Sequence, residues 1–442
     1  MGPGQRRRSR TESEGEVRMK TIITALENNP RVSDYKINLT KKESYECFYV
    51  KGKLETVRCT DTCDKVVTVY VDHDEFKGDS QFYVYPSTTE SELAELIEKA
   101  ADKAALLNNQ MYQLPENETG EFTVESNFSA YTLPELAKEI AASVFAANKV
   151  ENADLNSVEV FANRYTGSVI NSRGIHKTQV RYDAMVEAIP TYNGQTESVE
   201  LYQQYNFSAF DAETVKAEIA QKLQEVKARA AAVKPDFAIS CPVILNKQEL
   251  GELFGTISRD LNFSTVYSHA NLFHKGDDIQ KDPTGDKITI TMAGSVPGNI
   301  RSAHFDSDGM TLKDTVIVEN GKAVAYFGAN RFGQYLQEVP TGNLGCIQVT
   351  PGTACEKCLT TAPYLEVLSM SGLQVDSFND YIGGEVRLAY YHDSEKLIPV
   401  TGISITGSLK QVLSSIRLSS EIAADDSYTG PSKAILQDMK IF

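Results

Sequence analysis

The chain has no tryptophan and only six histidines among 442 residues: His73, His176, His269, His274, His304 and His392. No two of them stand at His-Glu-x-x-His spacing, so the common helical zinc-protease signature is missing. No stretch approaches the ~18 apolar residues that a membrane span requires. The opening MGPGQRRRSRTESEGEVR holds a basic cluster at Arg6, Arg7, Arg8 and Arg10, with no apolar segment behind it to make a secretory signal. Residues 1–18 are therefore expected to be a disordered extension, with folding beginning near Met19. Cysteine is sparse and odd in number, seven in all, which without an export signal predicts reduced thiols in a cytoplasm. Basic residues are the minority, 44 Lys+Arg against 60 Asp+Glu for a net charge of −16. That balance argues against a nucleic-acid groove, which needs clustered cations. Neither a G-x-x-x-x-G-K-[ST] phosphate loop nor a G-x-S-x-G elbow occurs, Met292-Ala-Gly-Ser295-Val falling short of the latter.

What is present is an ordinary globular composition, 41% hydrophobic and 24% charged, in a chain long enough for two or three domains. Residues 36–85 alternate apolar and polar positions and predict antiparallel strands. Thr89 and Glu92 have capping-box spacing before a stripe of Leu93, Leu96, Ile97, Ala100, Ala104 and Leu107. After a polar loop at 115–120, a second capping box, Thr132 with Glu135, opens another helix. Three further strands follow, the last two joined through the hairpin signal Asn193-Gly194. A long helix from Asp211 to about Val233 stops at Pro235, where the main boundary is placed. Beyond it come a short helix capped by Asn246 and Glu249, strands including a hairpin turning at Asn320-Gly321, and a last helix over 408–416. The expected fold is α+β: residues 19–235 as N-terminal mixed domains with antiparallel sheets and long helices (subdomains about 19–112 and 113–235), then a β-rich domain over 236–442.

The second half carries an ordered series of short motifs. Phe305-Asp306-Ser307-Asp308-Gly309 is followed by Pro340-Thr341-Gly342-Asn343, by Gly383-Gly384-Glu385-Val386-Arg387-Leu388, by Pro399-Val400-Thr401-Gly402 and Ile405-Thr406-Gly407-Ser408-Leu409, and finally by Gly430-Pro431-Ser432. In the first half, Asn171-Ser172-Arg173-Gly174 forms a further turn motif. In this order, from Met19 to Phe442, they resemble the TldD/PmbA family of paired bacterial proteins, once described as modulators of DNA gyrase. The resemblance implies a system acting on unstructured peptides, in which the TldD type is a zinc metalloprotease with a His-Glu-x-x-x-His helix and a later cysteine ligand. The PmbA (TldE) type lacks those ligands and pairs with it.

Set on this chain, the family's zinc helix falls on Gly251-Glu252-Leu253-Phe254-Gly255-Thr256, so that glycine and threonine stand where the histidines would be and only Glu252 is retained. No cysteine follows Cys358. A zinc site needs about three N, S or O ligands, so no metal or other cofactor is expected in this chain, zinc belonging to a TldD-like partner. The resemblance also puts Asp306 and Asp308 beside Gly309 near a groove between domains, with Asn171 and Arg173 as further groove or peptide-binding candidates; the plain alternative for the acidic pair is a turn. His269 and His274 with Asp277 and Asp278 are read as a surface loop, and Cys355-Glu-Lys-Cys358 at the start of a helix-like stretch as structural thiols, as are Cys59 and Cys63. The functional expectation is a PmbA/TldE-like, non-catalytic subunit of a cytoplasmic metalloprotease, partnered by a TldD-like chain, a homodimer or both. The alternatives are a self-associating peptide-binding scaffold homodimer and a peptidase using an unrecognised site.

Overall fold

The computed structural model describes residues 18–147, 150–194 and 198–442, so the expected N-terminal extension, save its last residue, lies outside them. A helix over residues 18–27 (α1) precedes three antiparallel strands, β1 (Asp34–Val50), β2 (Lys53–His73) and β3 (Phe76–Tyr83). Helix α2 (Glu90–Ala104) starts at the Thr89–Glu92 capping box, with both reciprocal hydrogen bonds formed. Strand β4 (Thr119–Thr123) is followed by α3 (Leu133–Ala146), opened by the second capping box at Thr132 and Glu135. The long hairpin of β5 (Ala153–Asn171) and β6 (His176–Asn193), the short β7 (Ser198–Glu200) and β8 (Gln203–Phe207), and α4 (Ala212–Ala231) complete the N-terminal half.

These strands make one eight-stranded half-barrel sheet in the order β3-β2-β1-β5-β6-β4. Strand β1 pairs with β5 from Lys36 to Val50, so strands from both expected N-terminal subdomains share one ladder. The outer edge of β6 is covered in relay by β4, β8 and β7. By contrast, residues 53–64 of β2 pair with β1 alone, because β3 reaches only from Val66 to His73 and Val84 adds one bond to the Lys65 carbonyl. Side chains alternate across a strand, and the burial pattern shows which face is packed. Tyr35, Ile37, Val67 and Val69 meet α1 and α2, while Val158, Val160, Ala184 and Val186 meet α3 and α4. The opposite, concave face is mixed, with Lys36, Asn38, Lys42, Ser44, Asn163 and Asp183 alongside Phe48, Phe161 and Met185.

The C-terminal half is built on two sheets around α5 (Lys247–Asp260). A six-stranded sheet centres on Ile290–Ala293 and Cys346–Val349, and a nine-stranded sheet centres on Tyr364–Met370 and Tyr381–His392. Leu250, Leu253, Phe254 and Ile257 recur at helical spacing and are fully buried between them. The hairpin turn falls where Asn320-Gly321 predicts it, both residues at positive φ (50° and 83°), as a type I′ turn requires. Ser408 caps the last helix, Leu409–Ser415. The α+β expectation holds.

Two local readings are corrected. Asn246 occupies the N-cap of α5 without a side-chain cap bond, because its Nδ2 donates instead to the Val367 carbonyl of the neighbouring strand. The stretch ACEKCLTTAPYLEVL is helical only over Glu356–Leu359; from Tyr364 it is a strand. Its β-branched Thr360-Thr361 and Pro363 oppose helix continuation, and the apolar alternation of Tyr364–Met370 suits the sheet.

Candidate functional site

Along the concave face of the half-barrel the register sets Ser44, Asn163 and Asp183 in one row and Lys42, Tyr165 and Arg181 in the next. The Asn163 amide donates to Asp183 at 2.7 Å, while its buried Oδ1 has no partner. Burial raises the Asp183 carboxyl above its ordinary range, against the opposing pull of Asn163, Arg181 and Lys42. Lys42 and Arg181 both lie 5.8 Å from the centre of the Tyr165 ring. The trough therefore offers donors and acceptors of both signs, with Phe161, Met185 and Phe48 in the rows beyond them.

Its open end meets the C-terminal domain in a cavity of about 530 Å³ whose walls include Gln179, Arg181, Asp306 and the segment Asn343-Leu344-Gly345. The same three residues form a wall of a second cavity, about 620 Å³, floored by Gln248, Gly251, Glu252, Gly255 and Arg259 of α5 and closed by Asp425–Tyr428. Trough, crossing segment and helix face thus follow one another along a single groove.

The helix face of that groove is the stretch on which the resemblance sets the zinc motif, and its donor set does not fit the metal. Gly251 has no side chain, and a Cβ there would lie 3.3 Å from the Cβ of Tyr428, so a histidine would have to push that buried tyrosine aside. The Arg259 guanidinium donates to Glu252 Oε1 at 3.1 Å and to Thr256 Oγ1 at 2.7 Å. A fixed cation therefore engages the carboxylate and hydroxyl that remain. Among the described residues no cluster of three His, Cys, Asp or Glu side chains could hold a metal ion, the His269–Asp278 loop included. Sequence reasoning missed Arg259, although its position seven residues after Glu252 and three after Thr256 puts all three on one helix face.

Of the other predicted residues, Asp306 reaches the groove. Its Oδ1 accepts from the Asp308 and Met310 amides (2.9 and 3.0 Å) and its Oδ2 from the Asn343 amide (2.9 Å), so it holds the crossing segment in place. Burial and the neighbouring Asp308 raise its pKa, while these backbone bonds oppose the rise. Asp308 pairs with Lys36 of the half-barrel. Gly309, at φ +81°, accepts Lys177 on its carbonyl at 2.9 Å, and a Cβ there would come within 2.6 Å of Ile175. These two residues clamp the domains together. Asn171 and Arg173 lie away from the groove: Asn171 Oδ1 accepts from the Arg173 and Ile175 amides, and Arg173 grips Asp34 with two nitrogens (2.6 and 3.0 Å).

A model of the PmbA/TldA metallopeptidase C-terminal domain matches residues 239–441. Among solved structures, TldE from Thermococcus kodakarensis is 16% identical with a TM-score of 0.77, over 96% of this chain and 99% of that one. A Thermotoga maritima protein named for a proposed role as a modulator of a DNA gyrase is 14% identical (TM-score 0.76, 97% of this chain and 100% of that one). A Bacteroides thetaiotaomicron protein named likewise is 13% identical (TM-score 0.76, 97% and 98%). No curated protein matches. The second half of the chain is thus a domain of the PmbA/TldA metallopeptidase class. Over almost its whole length the chain has the fold of TldE, in keeping with the resemblance that its motif series carries.

Proposed function

We propose that the chain is a non-catalytic, TldE-like subunit that joins a zinc-bearing TldD-like sister in the cytoplasm and presents unstructured peptides to it. The observation that carries this reading is the face of α5: it lines the groove, yet Gly251 and Thr256 stand at the ligand positions and Arg259 binds what remains. Without a bound metal Glu252 has no activated water to deprotonate, so hydrolysis falls to the sister. This chain's part is to hold an extended backbone. The groove suits that task, because the partnerless Asn163 Oδ1 and the two-signed trough can bond peptide amides and charges without demanding one sequence. The α+β scaffold supplies strands long enough to line such a path.

The test is co-expression with a His-Glu-x-x-x-His sister from the same host. The two chains are expected to co-purify and to cleave an unstructured peptide, with cleavage abolished by alanine at the sister's histidines. The isolated chain is expected to be inert and to hold no stoichiometric zinc in elemental analysis. About one zinc per chain, or chelator-sensitive cleavage by this chain alone, overturns the non-catalytic assignment. Recovery of homodimers only, with the sister present, favours the scaffold reading instead.

A further inference from the structure

We propose that Cys355 and Cys358 form a redox-active dithiol that closes into an intrachain disulfide by exchange with a low-molecular-weight disulfide such as glutathione disulfide. All seven cysteines are free, and this pair is accessible, Cys355 partly and Cys358 fully exposed, which is not how thiols kept for packing are placed. The two intervening residues, Glu356 and Lys357, are helical, and the Cys358 amide donates to the Cys355 carbonyl at 2.8 Å. One helical turn brings Cα atoms three residues apart to about 5 Å, inside the range a disulfide spans without backbone movement. The neighbouring Cys355 thiol holds the Cys358 thiol above its ordinary range.

The turn is fixed from outside. The Glu356 amide donates to Glu421 at 3.0 Å, and the Glu356 carboxylate receives Ser432 and pairs with Lys433 at 3.3 Å. The turn that carries the two cysteines is therefore anchored by contacts that do not depend on a bond between them. The other exposed cysteines serve as an internal control. Cys59 and Cys63 lie four residues apart on extended β2, about 13 Å at strand rise, too far to bridge.

The exchange balances without a cofactor. One thiolate attacks a sulfur of glutathione disulfide, forming a mixed disulfide and expelling a glutathione thiolate. The second cysteine, its proton lost to solvent, attacks the protein-borne sulfur and releases the second glutathione. Two protein thiols are oxidised and one glutathione disulfide is reduced to two thiols.

The full chain, equilibrated in glutathione buffers of rising oxidised fraction, quenched with acid, alkylated and mapped by peptide mass, decides the matter. The peptide holding both cysteines is expected to lose two hydrogens as an internal cross-link, reversibly with dithiothreitol, while Cys59 and Cys63 become mixed disulfides without cross-linking. In Cys358→Ser, Cys355 should stop at the mixed disulfide and accumulate it about tenfold over the wild type, since the resolving thiol no longer acts at high effective concentration. The inference is overturned if both wild-type thiols remain open to alkylation or carry separate glutathiones where Cys59 is already modified, or if the cross-link joins two chains. The wild-type arm stands whether or not the serine variant folds.

Discussion

Asp34 ties the turn between β5 and β6 to strand β3. It is 2% exposed, receives Arg173, Ser172 and Lys77, and lies against a lysine that is itself 1% exposed. Burial alone would raise its pKa, but the hydrogen bonds from Arg173, Ser172 and Lys77 outweigh it and hold the carboxyl below its ordinary value. A depressed carboxylate stabilises the fold above its unfolded pKa and loses that contribution as pH falls through the folded value. Asp34→Asn should therefore cost about 1–3 kcal/mol near neutrality, because Arg173 and Lys77 both lose a buried carboxylate although Lys77 keeps Asp72 at 2.6 Å, and the loss should shrink below about pH 4. Urea titrations of both proteins across that range check it. Glu249 and Asp425 behave in the opposite sense. Burial pushes them up to about 7 and about 6 respectively, so the stability they add at low pH is lost as pH rises through those values. Glu249→Gln should remove a decline on the order of 2 kcal/mol between about pH 5 and pH 8; an unchanged slope in the variant refutes it.

At the scale of elements, helix α5 serves two surfaces: a buried stripe of Leu250, Leu253, Phe254 and Ile257, and a groove face of Gly251, Glu252, Gly255 and Arg259. Leu253→Ala should destabilise the C-terminal domain by about 2–5 kcal/mol, since both sheets close on that side chain and neither can follow it inward. Gly309→Ala should open the clamp between the halves, as the added methyl meets Ile175 at 2.6 Å in a conformation that disfavours any side chain. Raised proteolysis at the joint, with each half still folded, is the expected readout. Elements with local signals were legible beforehand: both capping boxes and the Asn320-Gly321 turn depend on residues within four positions of one another. Asn246 was misread because its side chain obeys a strand 121 residues away. The site divides in the same manner. The helical stripe of α5 was legible from its spacing, whereas the trough exists only through the pairing of β1, β2, β5 and β6, and Asp308 and Arg173 proved to have partners that no spacing reveals.

For the whole molecule, length resolves into two bodies locked by contacts of several kinds. Lys36 meets Asp308, Lys177 meets Gly309 and Thr311, Asn38 meets the Ser307 carbonyl, and Gln179 exchanges bonds with Phe305 and His304. Several of these residues, Asn38, Gln179, Phe305 and Ser307, also line the cavity where the trough meets the C-terminal domain. At the other edge of the sheet, residues 53–64 of β2 pair with β1 alone and leave a row of backbone groups unpaired. Such a row is a template on which other chains can grow. A dry, stacked zipper requires six or seven residues in succession with little charge. Here Lys53, Glu55, Arg58, Asp61, Asp64 and Lys65 never leave more than two uncharged residues together. Replacing Arg58 with threonine and Asp61 with asparagine would open an uncharged run from Thr56 to Cys63, and thioflavin-positive fibres are expected from that variant under conditions in which the parent stays clear. The scattered charges of one strand thus stand between this protein and amyloid.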